Sequence, residues 1–241
     1  MAESFDIRLE APANWKTWLG DTKPDSDTSP QHVLAGAKRM MAYLDFVRNA
    51  NGERRLIGQC ECWLIMRTKM GINSIQDMLN QITHGESLHA DPIFDTFDES
   101  KVSKSVLSPK QSGSGVWGTE LERGVLVLIK DVFIQREQRN CGLGRKLIEA
   151  VLATIQERVQ VFFAIALPHC PLFEVKDALA QYLVDDVYDF DKRTVEFAIR
   201  FLRTLGFRRV GSSDWFAYAG DPDHPSRRLA SKDDFDPVDR G

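Results

Sequence analysis

Four consecutive stretches between Val125 and Leu167 constrain the fold of this chain more than any other part of it. The run VLVLIKDVFI (Val125–Ile134) leads into QREQRNCGLGRKL (Gln135–Leu147), then into LIEAVLATI (Leu147–Ile155) and VQVFFAIAL (Val159–Leu167). The first is an apolar run read as a strand, and the last, with its apolar, β-branched and aromatic content, has the pattern of a strand buried on both faces. Between them the apolar residues recur at helical spacing, which predicts a helix from Gly144 to about Arg158. Strand, helix and strand with so little between them predict two parallel strands lying near one another.

The two glycines of the turn require an explanation. A helix entered from a strand leaves its first backbone N–H groups without carbonyl partners, and with the helix dipole they form an anion site. Gly142 and Gly144 take bulk away from those amides and permit the angles of an N–H nest. Arg139, Arg145 and Lys146 place positive charge beside them. The turn therefore suits a phosphate or pyrophosphate, while a tight turn with close packing is the alternative. It is neither the Rossmann G-x-G-x-x-G pattern, since Leu147 stands at the third small position, nor a P-loop, which needs Gly-Lys-Ser/Thr.

Elsewhere the pattern is read as follows. Phe5–Leu9 predicts a short strand, and Asp21–Pro30 a polar loop. Ser29-Pro30 looks like a helix start. Val33, Ala37, Met40, Leu44 and Val47 then predict a helix reaching Asn49, ended by the turn signal Asn51-Gly52. Arg54–Met66 is a predicted strand. Ile72, Ile75, Leu79 and Ile82 have helical spacing inside an insertion spanning about 70–118, whose acidic members Asp91, Asp95, Asp98 and Glu99 read as a solvated loop face. Pro168–Phe190 reads as a second insertion. Asp191 is read as the cap of a helix with the stripe Val195, Ala198, Leu202 and Leu205, stopped by Gly206. Phe207–Ala219 supplies two short strands around Gly-Ser-Ser-Asp. The domain organisation expected is a single domain over 1–219, with 220–241 as a polar, poorly ordered tail.

Charge and composition exclude some classes. With 241 residues, 43% hydrophobic and 27% charged, the chain has the make-up of a folded domain. A net charge of −4 gives no global field for nucleic acid or an anionic membrane. No signal peptide or membrane-spanning run is read, and the four cysteines (Cys60, Cys62, Cys141, Cys170) suit a reducing compartment, so the expected location is cytoplasmic, with the nucleus left open. Cys60-x-Cys62 is too closely spaced for the about two to four intervening residues of a zinc pair, and both are read as core residues, so no metal is expected. Trp63, Trp117 and Trp215 read as core rather than as the lining of a substrate pocket.

IQREQRNCGLGRKLIEAVL resembles the acetyl-CoA-binding segment of the GNAT superfamily of N-acyltransferases, an Arg/Gln-x-x-Gly-x-Gly/Ala turn between that family's fourth strand and third helix. Arg139, Gly142 and Gly144 stand at its three defined places. AIRFLRTLGFRRVGSSDWFAY resembles the family's C-terminal block, a helix closed by Leu-Gly-Phe and followed by two antiparallel strands. The resemblance covers about Gly124–Tyr218, with Phe5–Met66 fitting only loosely. It implies a mixed, mostly antiparallel twisted α/β sheet with a parallel central strand pair and flanking helices.

The resemblance also implies an activity: transfer of an acetyl group from acetyl-CoA to a primary amine by direct attack. It implies a pyrophosphate held by the main chain of Arg139, Asn140, Cys141, Gly142, Leu143 and Gly144, with Arg145 on the first helical turn. The pantetheine arm would pair with backbone around Val132, Phe133 and Ile134, beside a bulge and a divergence from the next strand. An N–H near Val132 or Phe133 would face the thioester oxygen. The tyrosine acid common in the family has Leu202 in its place, with Phe201 next to it. For the base, His169, Asp131 and Glu61 are the candidates, each with a structural alternative. Cys141 is not needed as a nucleophile. Three readings stay open: an N-acetyltransferase acting on an unidentified amine, a non-catalytic or regulatory CoA-binding module, and an interaction protein whose glycines only pack.

Overall fold

The structure is a computed structural model, and it describes residues 3–11, 15, 36–48, 53–66, 78, 79, 82, 115–122, 124–169, 187–211 and 213–234. Seven strands make one sheet: β1 (Glu3–Glu10), β2 (Ala37–Arg48), β3 (Glu53–Met66), β4 (Val125–Ile134), β5 (Phe162–Ala166), β6 (Arg208–Arg209) and β7 (Phe216–Ala219), in the spatial order β1-β2-β3-β4-β5-β7-β6. Every neighbouring pair is antiparallel except β4 and β5, which run parallel from Val125 opposite Phe162 to Ile129 opposite Ala166. The helix between them is α1 (Leu143–Gln156); α2 (Val187–Thr204) follows β5, and α3 (Pro225–Arg228) follows β7. The fold is thus mixed α/β, mostly antiparallel, with one parallel pair.

The strand β4, apolar from Val125 to Ile129, sits centrally because both faces of that half are covered. On one side Val125, Val127 and Ile129 join Leu147, Ile148, Val151 and Ile155 of α1, Leu202 of α2 and Leu205 just after it. On the other, Leu126 and Leu128 meet Phe163, Ile165 and Trp215, together with Met78, Leu79 and Ile82. Burial of this kind contributes about 1.5–3 kcal/mol per large side chain and dominates the stability of such a sheet.

Three expectations are corrected. Residues Ala37–Arg48 are a strand and not the last turns of a helix. Met40, Ala42, Leu44 and Phe46 all belong to the α1-side core, a period of two that the helical reading of Ala37, Met40, Leu44 and Val47 passed over. Pairing with both β1 and β3 outweighs the local pattern. Asp191 lies inside α2, which begins at Val187, so it is not the cap. Gly220–Asp234 is ordered and packed: α3 is capped by His224, whose ring stacks on Trp117 with centroids 4.8 Å apart, and Ser226 and Asp234 are buried.

Other expectations stand or shift slightly. α1 runs from Leu143, not Gly144, and β5 is shorter than Val159–Leu167. Gly206, at φ +92°, ends α2 as read. Trp215 is buried, with Trp63 and Trp117 packed against the same core. The cap at Ser29-Pro30, the turn at Asn51-Gly52, Ile72, Ile75, Cys170, the acidic residues Asp91–Glu99 and most of both insertions lie outside the described residues.

Candidate functional site

Where β4 and β5 part, the sheet opens. Their pairing ends at Ile129 and Ala166, yet β4 continues five residues further to Ile134. On the opposite edge of β4 the ladder to β3 slips by one: Glu61 faces Asp131 and Cys62 faces Ile129, leaving Lys130 as an unmatched, bulged residue. A cavity of about 400 Å³ fills the opening. Ile129, Val132, Ile134 and Ala166 line it from the strands, and Leu167 from just beyond β5. The turn supplies Arg139, Asn140, Gly142, Leu143, Gly144 and Arg145. Thr194, Phe197, Ala198, Phe201 and Leu202 of α2 form the far wall.

The turn into α1 is built from unusual backbone. Asn140 has φ +61° and Gly142 has φ +75°, both left-handed, before Leu143 starts the helix. Asparagine and glycine are the residues that take this conformation at least cost. The first carbonyl used by the helix is that of Gly142, which accepts from Lys146 N at 3.1 Å. The N–H groups of the first turn thus precede any intrahelical acceptor, and no side chain caps them. A Cβ on Gly142 would meet no atom within 4 Å, so the space beside it is open. At Gly144 a Cβ would stand 3.4 Å from Phe201 Cζ and 3.6 Å from Ile134 Cγ1, so this glycine keeps the two walls apart.

The charged residues of the turn are partly engaged in the protein itself. Arg139 Nε donates to Ile134 O at 2.8 Å and its guanidinium lies over the Phe133 ring at 5.9 Å, bracing the turn against the end of β4. Arg145 Nε pairs with Glu149 at 2.7 Å along the exposed side of α1. Cys141 is exposed, its thiol directed to Arg139 O at 3.4 Å.

Asp131 and His169, 38 residues apart in sequence, meet at the open end of the strand pair. His169 Nε2 is 3.1 Å from Asp131 Oδ1, and its Nδ1 is 2.9 Å from Leu167 O. Both acceptors face ring nitrogens, an arrangement satisfied in full when both nitrogens carry protons. The bond from His169 holds the Asp131 carboxyl below the usual carboxylate range, against the upward push of partial burial. His169 lines the cavity; Asp131 reaches it through His169.

Glu61 is placed differently. Arg39 grips it with Nε and Nη2, each 3.1 Å from a carboxylate oxygen, and Trp63 Nε1 donates to it at 3.0 Å. Lys130 Nζ stands 4.0 Å away. These contacts tie Glu61 into the sheet beside Arg39 and Trp63, and it does not line the cavity. Cys60 and Cys62 are buried on the α1 side, and burial pushes the Cys60 thiol up to about 12. Among the described residues no group of three or more His, Cys, Asp or Glu is arranged to hold a metal ion, and no helix is long and apolar enough to cross a membrane.

The structure thus brings Val132, Ile134, His169 and the turn residues Arg139, Asn140, Gly142, Leu143, Gly144 and Arg145 to one cavity; Phe133 and Cys141 are not in its lining, and Glu61 is set apart from it. Apart from Phe201 and Leu202, sequence reasoning missed the α2 wall. Thr194, Phe197 and Phe201 recur at helical spacing beside the buried stripe, and that second stripe was the available signal. Neither the protein-family models nor the curated proteins contain a match to this chain.

Proposed function

We propose that this protein binds acetyl-CoA and transfers its acetyl group to a primary amine, as the GNAT-like turn and C-terminal block imply. The observation that carries the reading is the cavity between the diverging ends of β4 and β5, floored by the uncapped first turn of α1. The main-chain amides of Gly142–Arg145 would hold the pyrophosphate, helped by the dipole of a 14-residue helix. Open space beside Gly142 fits that group, since nothing of the protein occupies it. The bulge at Lys130 alters which main-chain groups of β4 face the opening, and those near Val132 and Phe133 are suited to a thioester carbonyl and its developing charge.

Acetyl-CoA would supply the activated acyl group; the chain supplies orientation and proton transfer. Asp131, held ionised, and His169, held by it, are the groups that exchange protons at the inner end of the cavity. No metal is assigned a role, and the amine is not specified by these residues.

One observation favours a second reading, a CoA-binding module without turnover. Leu202, at the place of the family's tyrosine acid, is buried and lines the cavity with hydrocarbon. Two measurements separate the readings. Saturating acetyl-CoA should raise the melting temperature, by an amount corresponding to about 2.7 kcal/mol at a hundredfold excess over Kd. Thiol release with a panel of amines should then follow for a transferase and stay at background for a binding module. No melting shift with either acetyl-CoA or CoA would overturn both.

A further inference from the structure

The last turn of α2 belongs to the cavity wall, and it is fastened from outside the cavity. Leu202 and Thr204 line the cavity. Arg203, between them, carries its guanidinium over the Phe216 ring at 5.5 Å. Its Nε donates to Asp234 Oδ2 at 2.8 Å and its Nη2 to the Asp234 main-chain oxygen at 2.7 Å. The other carboxylate oxygen, Oδ1, accepts the backbone N–H of Arg209 at 3.0 Å. The Asp234 side chain is 0% exposed. Two further bonds reinforce the joint: Ser231 Oγ donates to Arg203 O at 3.3 Å, and Arg208 bridges Leu229 O (Nε, 2.8 Å) and Arg203 O (Nη1, 3.0 Å).

One enclosed carboxylate therefore ties three elements together: the end of α2, the strand β6 at Arg209 and the segment Leu229–Asp234. Removing one partner from such a buried pair leaves the other without compensation, so the joint is held or broken as a unit. The wall it fixes is the one that meets the glycine turn, because Phe201 is the near neighbour of Gly144.

We propose that Asp234 is a positioning residue for the cofactor wall. It holds the last turn of α2 where Phe201 and Leu202 close the cavity, so that affinity for CoA depends on docking of Leu229–Asp234. By linkage, CoA strengthens that docking by the same factor. This rests on the CoA-binding reading above.

The test uses the full chain. CoA is titrated calorimetrically into wild type, Asp234→Asn and Asp234→Glu, and hydrogen exchange of Arg203–Leu205 and Leu229–Asp234 is followed with and without CoA. Asp234→Asn keeps the size and the acceptor for Arg209 but loses the charge that faces Arg203. The expected result is CoA binding weakened by about tenfold in Asp234→Asn, less in Asp234→Glu, and slower exchange of Leu229–Asp234 when CoA binds the wild type. Equal affinities, or exchange in that segment untouched by bound CoA, would overturn the inference and leave the CoA-binding reading intact. A wild type that does not bind CoA would overturn both. Should Asp234→Asn fail to fold, the wild-type exchange measurement decides alone.

Discussion

Gly144 and Phe201 face each other across the candidate cavity, and a methyl group added to the glycine would lie 3.4 Å from the tip of the ring. That contact sets the gap between the first turn of α1 and the wall formed by α2. Ile134 closes the same gap from the strand side at 3.6 Å. A Cβ fits there at ordinary van der Waals distance, whereas anything larger must displace the ring or the isoleucine.

Gly144→Ala should therefore leave stability within about 1 kcal/mol of wild type, helped by the better helix propensity of alanine. Gly144→Val should cost about 1–3 kcal/mol through overpacking. It should also remove the melting shift with CoA. Urea denaturation and thermal melts with ligand check both, and a valine variant with wild-type ligand response would refute the geometry.

Gly142 gives a separate test, because its constraint is the backbone and not the space. At φ +75° any β-branched residue is strained, and Gly142→Val should lose about 1–3 kcal/mol. Asparagine tolerates this conformation, so Gly142→Asn should stay close to wild type in stability while its side chain enters the open space beside the helix amides. CoA binding should fall in both variants. Binding retained in Gly142→Asn would place the phosphates elsewhere.

The Asp131–His169 pair predicts a pH response. The carboxyl of Asp131 is held below its ordinary value chiefly by the hydrogen bond from His169. A depressed native value stabilises the fold above the unfolded value of about 3.9, and this contribution is lost as pH falls through the native value. His169→Gln, which lacks the imidazole's charge and reach, should raise the Asp131 titration. The carbon-13 NMR signal of that carboxyl reports it directly, and an unchanged titration would mean that the pair is not formed in solution.

Thiol labelling should separate the cysteines by environment. Cys60, with its thiol pushed up to about 12, and Cys62, pushed upward by the same burial, should stay unmodified by iodoacetamide in the native protein. Cys141 is exposed and should react. CoA should protect Cys141 if the ligand lies over the turn. Peptide mass mapping distinguishes the sites, and rapid native labelling of Cys60 would contradict its burial.

The parts legible in the sequence were those whose reasons are local. β4, the glycine turn, α1 and β5 follow from composition and spacing within one stretch, and the stop at Gly206 from one residue. The strand β2 was not legible. Ala37, Met40, Leu44 and Val47 fit a helical stripe as well as the alternating set fits a strand, and partners far away in the sequence, as Glu3 is from Arg48, decide. The Asp131–His169 contact also depends on where β5 ends. Likewise, the charged and proline-rich composition of Gly220–Asp234 hides a segment held by burial of one aspartate and one serine.

Lys130 is unmatched in the ladder between β3 and β4, and side chains on a strand alternate between its two sides. One extra residue reverses the alternation, so Val132 and Ile134 join Ile129 on the helix-covered side while Asp131 is turned toward the other. Were Lys130 instead paired in a regular ladder, with no bulge, both would be reassigned: the Asp131 carboxylate would project into hydrocarbon, and two aliphatic groups would leave it. That single inserted position divides the labour of the strand, giving one side of the sheet to cavity lining and the other to charge.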